Sequence, residues 1–145
     1  EYRRQRQMCI RDRTRSSSDY LAVHTIASMD VFTMPEYKAM GGGGFSHYPE
    51  HITDWVRRFL VGIEEMPAVG ERECVVVADQ GRASVTGLPG DFQWAHPVGK
   101  DDTRGERGIA VVPVDLAKRA LVLPDRPVDV WVPIMPRRRS ALQSR

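Results

Sequence analysis

The chain has 145 residues, 41% of them hydrophobic, which suits one domain with a core of ordinary size. Its formal net charge is +2, but residues 1–13 carry +3 and residues 137–145 carry +4, so subtracting both leaves −5 for residues 14–136. An acidic body leaves a nucleic-acid partner only the arginine-rich ends, no apolar run reaches the length of a membrane span, and two cysteines cannot build a disulfide framework.

No apolar stretch near the N-terminus has the form of a signal peptide. A cytoplasmic chain with no membrane and no nucleic-acid partner is expected. "RQMCIRDR", Arg6 to Arg13, resembles the translation of a transposon-end sequencing adaptor. The resemblance implies a metagenomic fragment, with residues 1–18 a non-native or disordered segment. Residues 1–13 are then expected to pack against nothing, and the native protein to begin upstream of Thr14.

The body is expected to divide into a partial α/β module at 19–67 and a β-rich segment at 68–136, with a basic tail at 137–145. "YLAVHTIA" (Tyr20 to Ala27) has strand length and strand composition. A period of two puts Leu21, Val23 and Thr25 on one face and Tyr20, Ala22, His24 and Ile26 on the other. "TMPE" predicts a short helix over Met34 to Met40, with Thr33 as cap and Glu36 completing a capping box. Gly41 to Gly44 end it. Ile52, Trp55, Val56, Phe59, Leu60 and Ile63 recur at helical spacing and predict one helix after Pro49. A strand over "FLVGIEEM" is the alternative. Beyond Pro67, the runs "ECVVVAD", "ASVTGL", "DFQWAHPV", "GIAVVPV" and "VDVWVPI" read as strands. "GKDDTRGERG" reads as an exposed loop, and "DLAKRAL" as a helical turn or two.

"HYPEH", His47 to His51, spells the H-x-x-E-H pattern of a zinc peptidase. That chemistry needs both histidines on one helical face. Pro49 stands between them and belongs in a first turn, so His47 falls before the helix. The expectation is no metal site. The glycine run lacks the lysine and preceding strand of a phosphate loop. His96 reads as structural. His24, a lone strand histidine, reads first as a satisfied structural residue, though the face that it shares with Tyr20 is the more polar one, as expected of a pocket wall.

Tyr20-Leu21-Ala22, Pro35-Glu36-Tyr37 and Arg57-Arg58-Phe59 together resemble the second half of an EthD-like, dimeric α/β-barrel module over residues 19–66. The resemblance implies a ferredoxin-like α+β fold whose sheets pair in a homodimer. It also implies a pocket for a small hydrophobic molecule and chemistry without a cofactor. His24 would be the catalytic acid or base, and Tyr20, Tyr37 and Trp55 would bind substrate. A non-catalytic dimerisation or accessory module is the second expectation, and a zinc hydrolase a distant third.

Overall fold

The computed structural model describes residues 5–11, 20–26, 28–39, 57–79, 81–99, 105–121 and 128–134. Seven strands form its frame: β1 (Gln5–Arg11), β2 (Tyr20–Thr25), β3 (Leu60–Val61), β4 (Glu73–Ala78), β5 (Gln93–Pro97), β6 (Arg107–Pro113) and β7 (Val128–Pro133). They make one sheet in the order β2-β1-β7-β4-β6-β5-β3. Every pairing in it is antiparallel. Among the described residues, two α-helices complete an α+β fold: α1 (Pro35–Ala39) and α2 (Val114–Leu121).

The centre of the sheet is buried on both sides. On β4, Cys74, Val76 and Ala78 join one apolar cluster with Ala110, Val112, Val128, Val130 and Ala117 of α2. Val75 and Val77 point the other way, into a cluster with Met66, Ile109 and Trp131. The period of two in a strand turns the unbroken apolar run "CVVVA" into two cores, one above and one below. Each buried valine contributes about 1.5–3 kcal/mol of transfer free energy. Helix α2 covers the first face. The segment 62–70 covers part of the second, where Ile63, Val69, Leu21 and Val23 pack.

Side-chain size is matched across the ladder at one glycine. Trp94 stands opposite Gly108, and a Cβ on Gly108 would lie 2.8 Å from the Trp94 ring. The indole occupies the space that a side chain would need. The Arg82 guanidinium lies over the same ring, 5.2 Å from its centroid, within cation–π range.

The structure corrects several sequence expectations. Residues 1–13 were expected to pack against nothing, yet Gln5–Arg11 is a strand hydrogen-bonded to both β2 and β7. The ladder is made by backbone hydrogen bonds, which do not depend on side-chain identity, so a polar, arginine-bearing segment can enter it. The sheet draws β2 and β3 from residues 19–67 and β4 to β7 from residues 68–136. The single helix through Ile63 gives way to an extended stretch. Phe59 accepts a hydrogen bond from Val98 at 3.0 Å, and Leu60–Val61 pair with β5. Gly62, at φ +104, then turns the chain in a conformation that L side chains rarely adopt. Residues 40–56, with the glycine run, HYPEH and the rest of that helical stripe, lie outside the described residues.

"ASVTGL" is a 3-10 turn at Arg82–Val85 and a following turn rather than a strand. Gly81 and Gly87, both at positive φ, bracket it and set the chain direction. Helix α1 forms where expected. The Thr33 hydroxyl donates back to the Asp30 carbonyl at 2.7 Å. It thereby closes the 3-10 turn Met29–Thr33, which Ser28 caps by accepting from the Asp30 backbone N–H.

Candidate functional site

The turn after β2 and the entry to β3 meet at three aromatic rings. Phe32 packs edge-on against Tyr37 at 5.1 Å between centroids, and in a tilted arrangement against Phe59 at 4.8 Å. Edge-to-face packing satisfies the ring quadrupoles. The Tyr37 hydroxyl accepts a long hydrogen bond of 3.5 Å from Arg57 Nη1. Phe32, Tyr37, Arg57 and Phe59 are all half-buried, so the group presents rings and a cation at the protein surface. Strands β2 and β3 are the two edges of the sheet, which a flat seven-stranded sheet would hold about 29 Å apart. The Phe32–Phe59 contact joins the chain that follows one edge strand to the chain that enters the other.

Beside it, the next residue of the same extended segment turns to a carboxylate. Arg58 Nη1 lies 3.0 Å from Asp79 Oδ1. Arg107 grips the same carboxylate with a two-pronged fork, Nε to Oδ1 at 2.6 Å and Nη2 to Oδ2 at 2.8 Å. Burial alone pushes the Asp79 carboxyl up. The hydrogen bonds and charges of Arg107 and Arg58 outweigh it and hold the group below its ordinary value. Asp79 follows β4, Arg107 begins β6 and Arg58 leads into β3. The cluster therefore ties three segments together at one end of the sheet. Its members pair with one another, which marks it as scaffolding for the neighbouring aromatic group.

A second charged group involves the preceding residue. Glu106 takes Arg82 Nε at 3.0 Å and His96 Nδ1 at 3.3 Å. The hydrogen bond from Arg82 is the main reason that its carboxyl lies below the ordinary value. This group is exposed and reads as a solvated ion pair. Cys74 is fully buried, and its thiol donates to the Val112 carbonyl at 3.5 Å. Burial, helped by Glu73, pushes the thiol up to about 11, so it stays protonated at neutral pH and is no nucleophile.

The structure brings Tyr37 together with Arg57 and, through Phe32, with Phe59. It places His24 on edge strand β2, exposed, where a half-buried pocket wall was expected. The alternation itself holds. Leu21 and Val23 are the half-buried positions of β2 that pack on the core, so Ala22 and His24 take the opposite, exposed face. Tyr20 opens β2 opposite Ile10. Trp55 lies outside the described residues, as do His47 and His51. Among the described residues, no three His, Cys, Asp or Glu side chains gather as a metal site, and no helix is long and apolar enough to cross a membrane.

Sequence reasoning missed the Asp79 cluster. Arg107 follows Asp79 by 28 residues, too far for any local pattern to join them. No protein-family model, curated protein or solved structure matches the chain.

Proposed function

We propose that this chain is a small-molecule-binding α+β protein of the ferredoxin-like, dimeric α/β-barrel kind, acting on a hydrophobic or aromatic molecule without a cofactor. The observation that supports this reading is the Phe32–Tyr37–Phe59 group with Arg57 at its side. Half-buried rings offer a face for stacking, and an arginine can fix the polar end of a ligand. In this reading Tyr20, Tyr37 and Trp55 contact the ligand, and His24 is the general acid or base, since its charge changes near neutral pH.

Titration with a panel of small aromatic molecules tests it, followed by the chemical shifts of the aromatic side chains. Tyr37→Ala is expected to weaken binding about tenfold, close to 1.4 kcal/mol. Binding that Tyr37→Ala leaves unchanged contradicts the proposal, as does a panel with no binder.

The second reading is a non-catalytic dimerisation or accessory module. The exposure of Ala22 and His24 on an edge strand favours it, because a general base ordinarily sits in a cleft that excludes water. Loss of turnover in His24→Phe, with ligand binding retained, would support the enzyme. Ligand binding without turnover in either protein supports the module.

A further inference from the structure

The segment that enters β3 is extended. Phe59 accepts from the Val98 N–H, and Leu60 and Val61 pair with β5. Alternation sends Arg57 and Phe59 to one side and Arg58 to the other. The contacts agree: Arg57 reaches Tyr37 and Phe59 reaches Phe32, while Arg58 reaches Asp79. Arg58 and Arg107 already offset the Asp79 carboxylate, so the cation set beside the rings is Arg57. A phenol hydroxyl both accepts and donates, whereas a guanidinium only donates. The Tyr37 oxygen accepts from Arg57 Nη1, and among the described residues its own proton has no acceptor. Beside three half-buried rings, the polar groups therefore offer donors, and one of them carries a fixed positive charge.

We propose that this group takes an aromatic carboxylate, with the ligand ring against Phe32, Tyr37 and Phe59 and its carboxylate between the Tyr37 hydroxyl and the Arg57 guanidinium. The inference rests on the small-molecule reading above and narrows it to one class of ligand. The planar fork of a guanidinium matches a carboxylate, and such charge-assisted bonds are roughly twice as strong as neutral ones. A half-buried charge beside rings is also screened less than one in open solvent. The Arg57–Tyr37 bond, at 3.5 Å, is longer than an ordinary hydrogen bond. Little is lost when both groups turn to a shared anion. A hydroxyl whose oxygen accepts from a cation is polarised toward donating. A cationic ligand would meet Arg57 with like charge, and a neutral one would forgo the charge-assisted bonds.

The test titrates the full chain with three probes that share one ring system and differ in charge: 2-naphthoate, 2-naphthamide and 2-naphthylmethylammonium. Naphthoate is expected to bind about tenfold more tightly than naphthamide at low salt, with the cation weakest. The advantage of naphthoate should shrink as salt is added. Arg57→Gln is expected to bring naphthoate down to the affinity of naphthamide, whose retained binding reports an intact site. Should Arg57→Gln lose both ligands, Arg57→Lys decides. It keeps the charge and is expected to keep a preference for the acid, and loss of that preference overturns the proposal. Tyr37→Phe keeps the ring and should weaken naphthoate and naphthamide alike, since both present an acceptor. Equal binding of naphthoate and naphthamide to the unaltered protein overturns the proposal and leaves the small-molecule reading standing. Binding of none of the three removes that reading and this inference with it. An acid preference that survives Arg57→Gln, or naphthoate affinity unchanged in Tyr37→Phe, also overturns the assignment.

Discussion

Strands β4 and β2 are both apolar and similar in length, but they live differently. From Cys74 to Ala78 every residue of β4 is buried, and neighbouring strands pair on both sides. Strand β2 is an edge, and from Leu21 to His24 half-buried and exposed residues alternate. The difference separates two roles. The centre holds the fold through packing that admits little change. The margin carries the histidine and adjoins the aromatic group on which a ligand reading rests. Substitutions should therefore divide sharply, with large stability effects at the centre and small ones at the edge.

The largest effect is expected at Trp131, 5% exposed on central strand β7. Trp131→Ala should destabilise by about 3–5 kcal/mol, read by urea denaturation. A loss below 1 kcal/mol would erase the contrast between centre and edge. Gly108→Ala comes next. Its Cβ would meet the Trp94 ring at 2.8 Å, and the displaced indole also stacks with Arg82. A cost of about 1–3 kcal/mol is expected from overpacking, and Gly108→Ala combined with Trp94→Phe should recover part of it.

Asp79 should lie between these and the edge. Asp79→Asn leaves Arg58 and Arg107 facing a neutral amide. Its carboxylate is 34% exposed, so the loss should be about 1–2 kcal/mol rather than the 3–5 of a fully buried pair. The pH dependence has a definite sign. The folded carboxyl titrates below its ordinary value of 3.8. Its contribution is therefore complete above that value and fades as pH falls through the lower, folded value. Denaturation midpoints of the native protein and Asp79→Asn should converge on acidification below about pH 4. A difference that persists in strong acid would remove the ion pairs as its cause.

How much of this was legible in the sequence follows the same division. Runs rich in β-branched residues announced β4, β6 and β7, because burial on both faces demands unbroken apolar stretches. The alternation in β2 correctly separated Leu21 and Val23 from Ala22 and His24. It did not show that the His24 face would be open, since no periodicity reveals what covers a face. "ASVTGL" looked like a strand and became a turn, because the positive φ of Gly81 and Gly87 outweighed the propensity of two β-branched residues. The two-residue strand β3 depends wholly on β5, and a distant partner leaves no local signal. The Asp79 cluster was invisible for the same reason. Tyr37 was reached only through a motif resemblance, and its contact with Phe32 and Arg57 is tertiary.

The smallest effect is expected at His24. It is exposed on β2, so His24→Phe should change stability by less than about 0.5 kcal/mol. A loss of 1–3 kcal/mol, roughly that of stranding a buried hydrogen-bond partner, would make it a structural residue and blur the line between edge and centre.

Amide hydrogen exchange across the whole chain measures that line most directly, because it reports the opening free energy of each strand separately. The slowest amides should lie in β4, β6 and β7, where paired strands meet the buried clusters on both faces. The amides of β2 and β3 should exchange markedly faster, through local opening at the edges. Edge amides as slow as those of Val75 to Val77 would contradict the account, since the sheet would then open only as one unit.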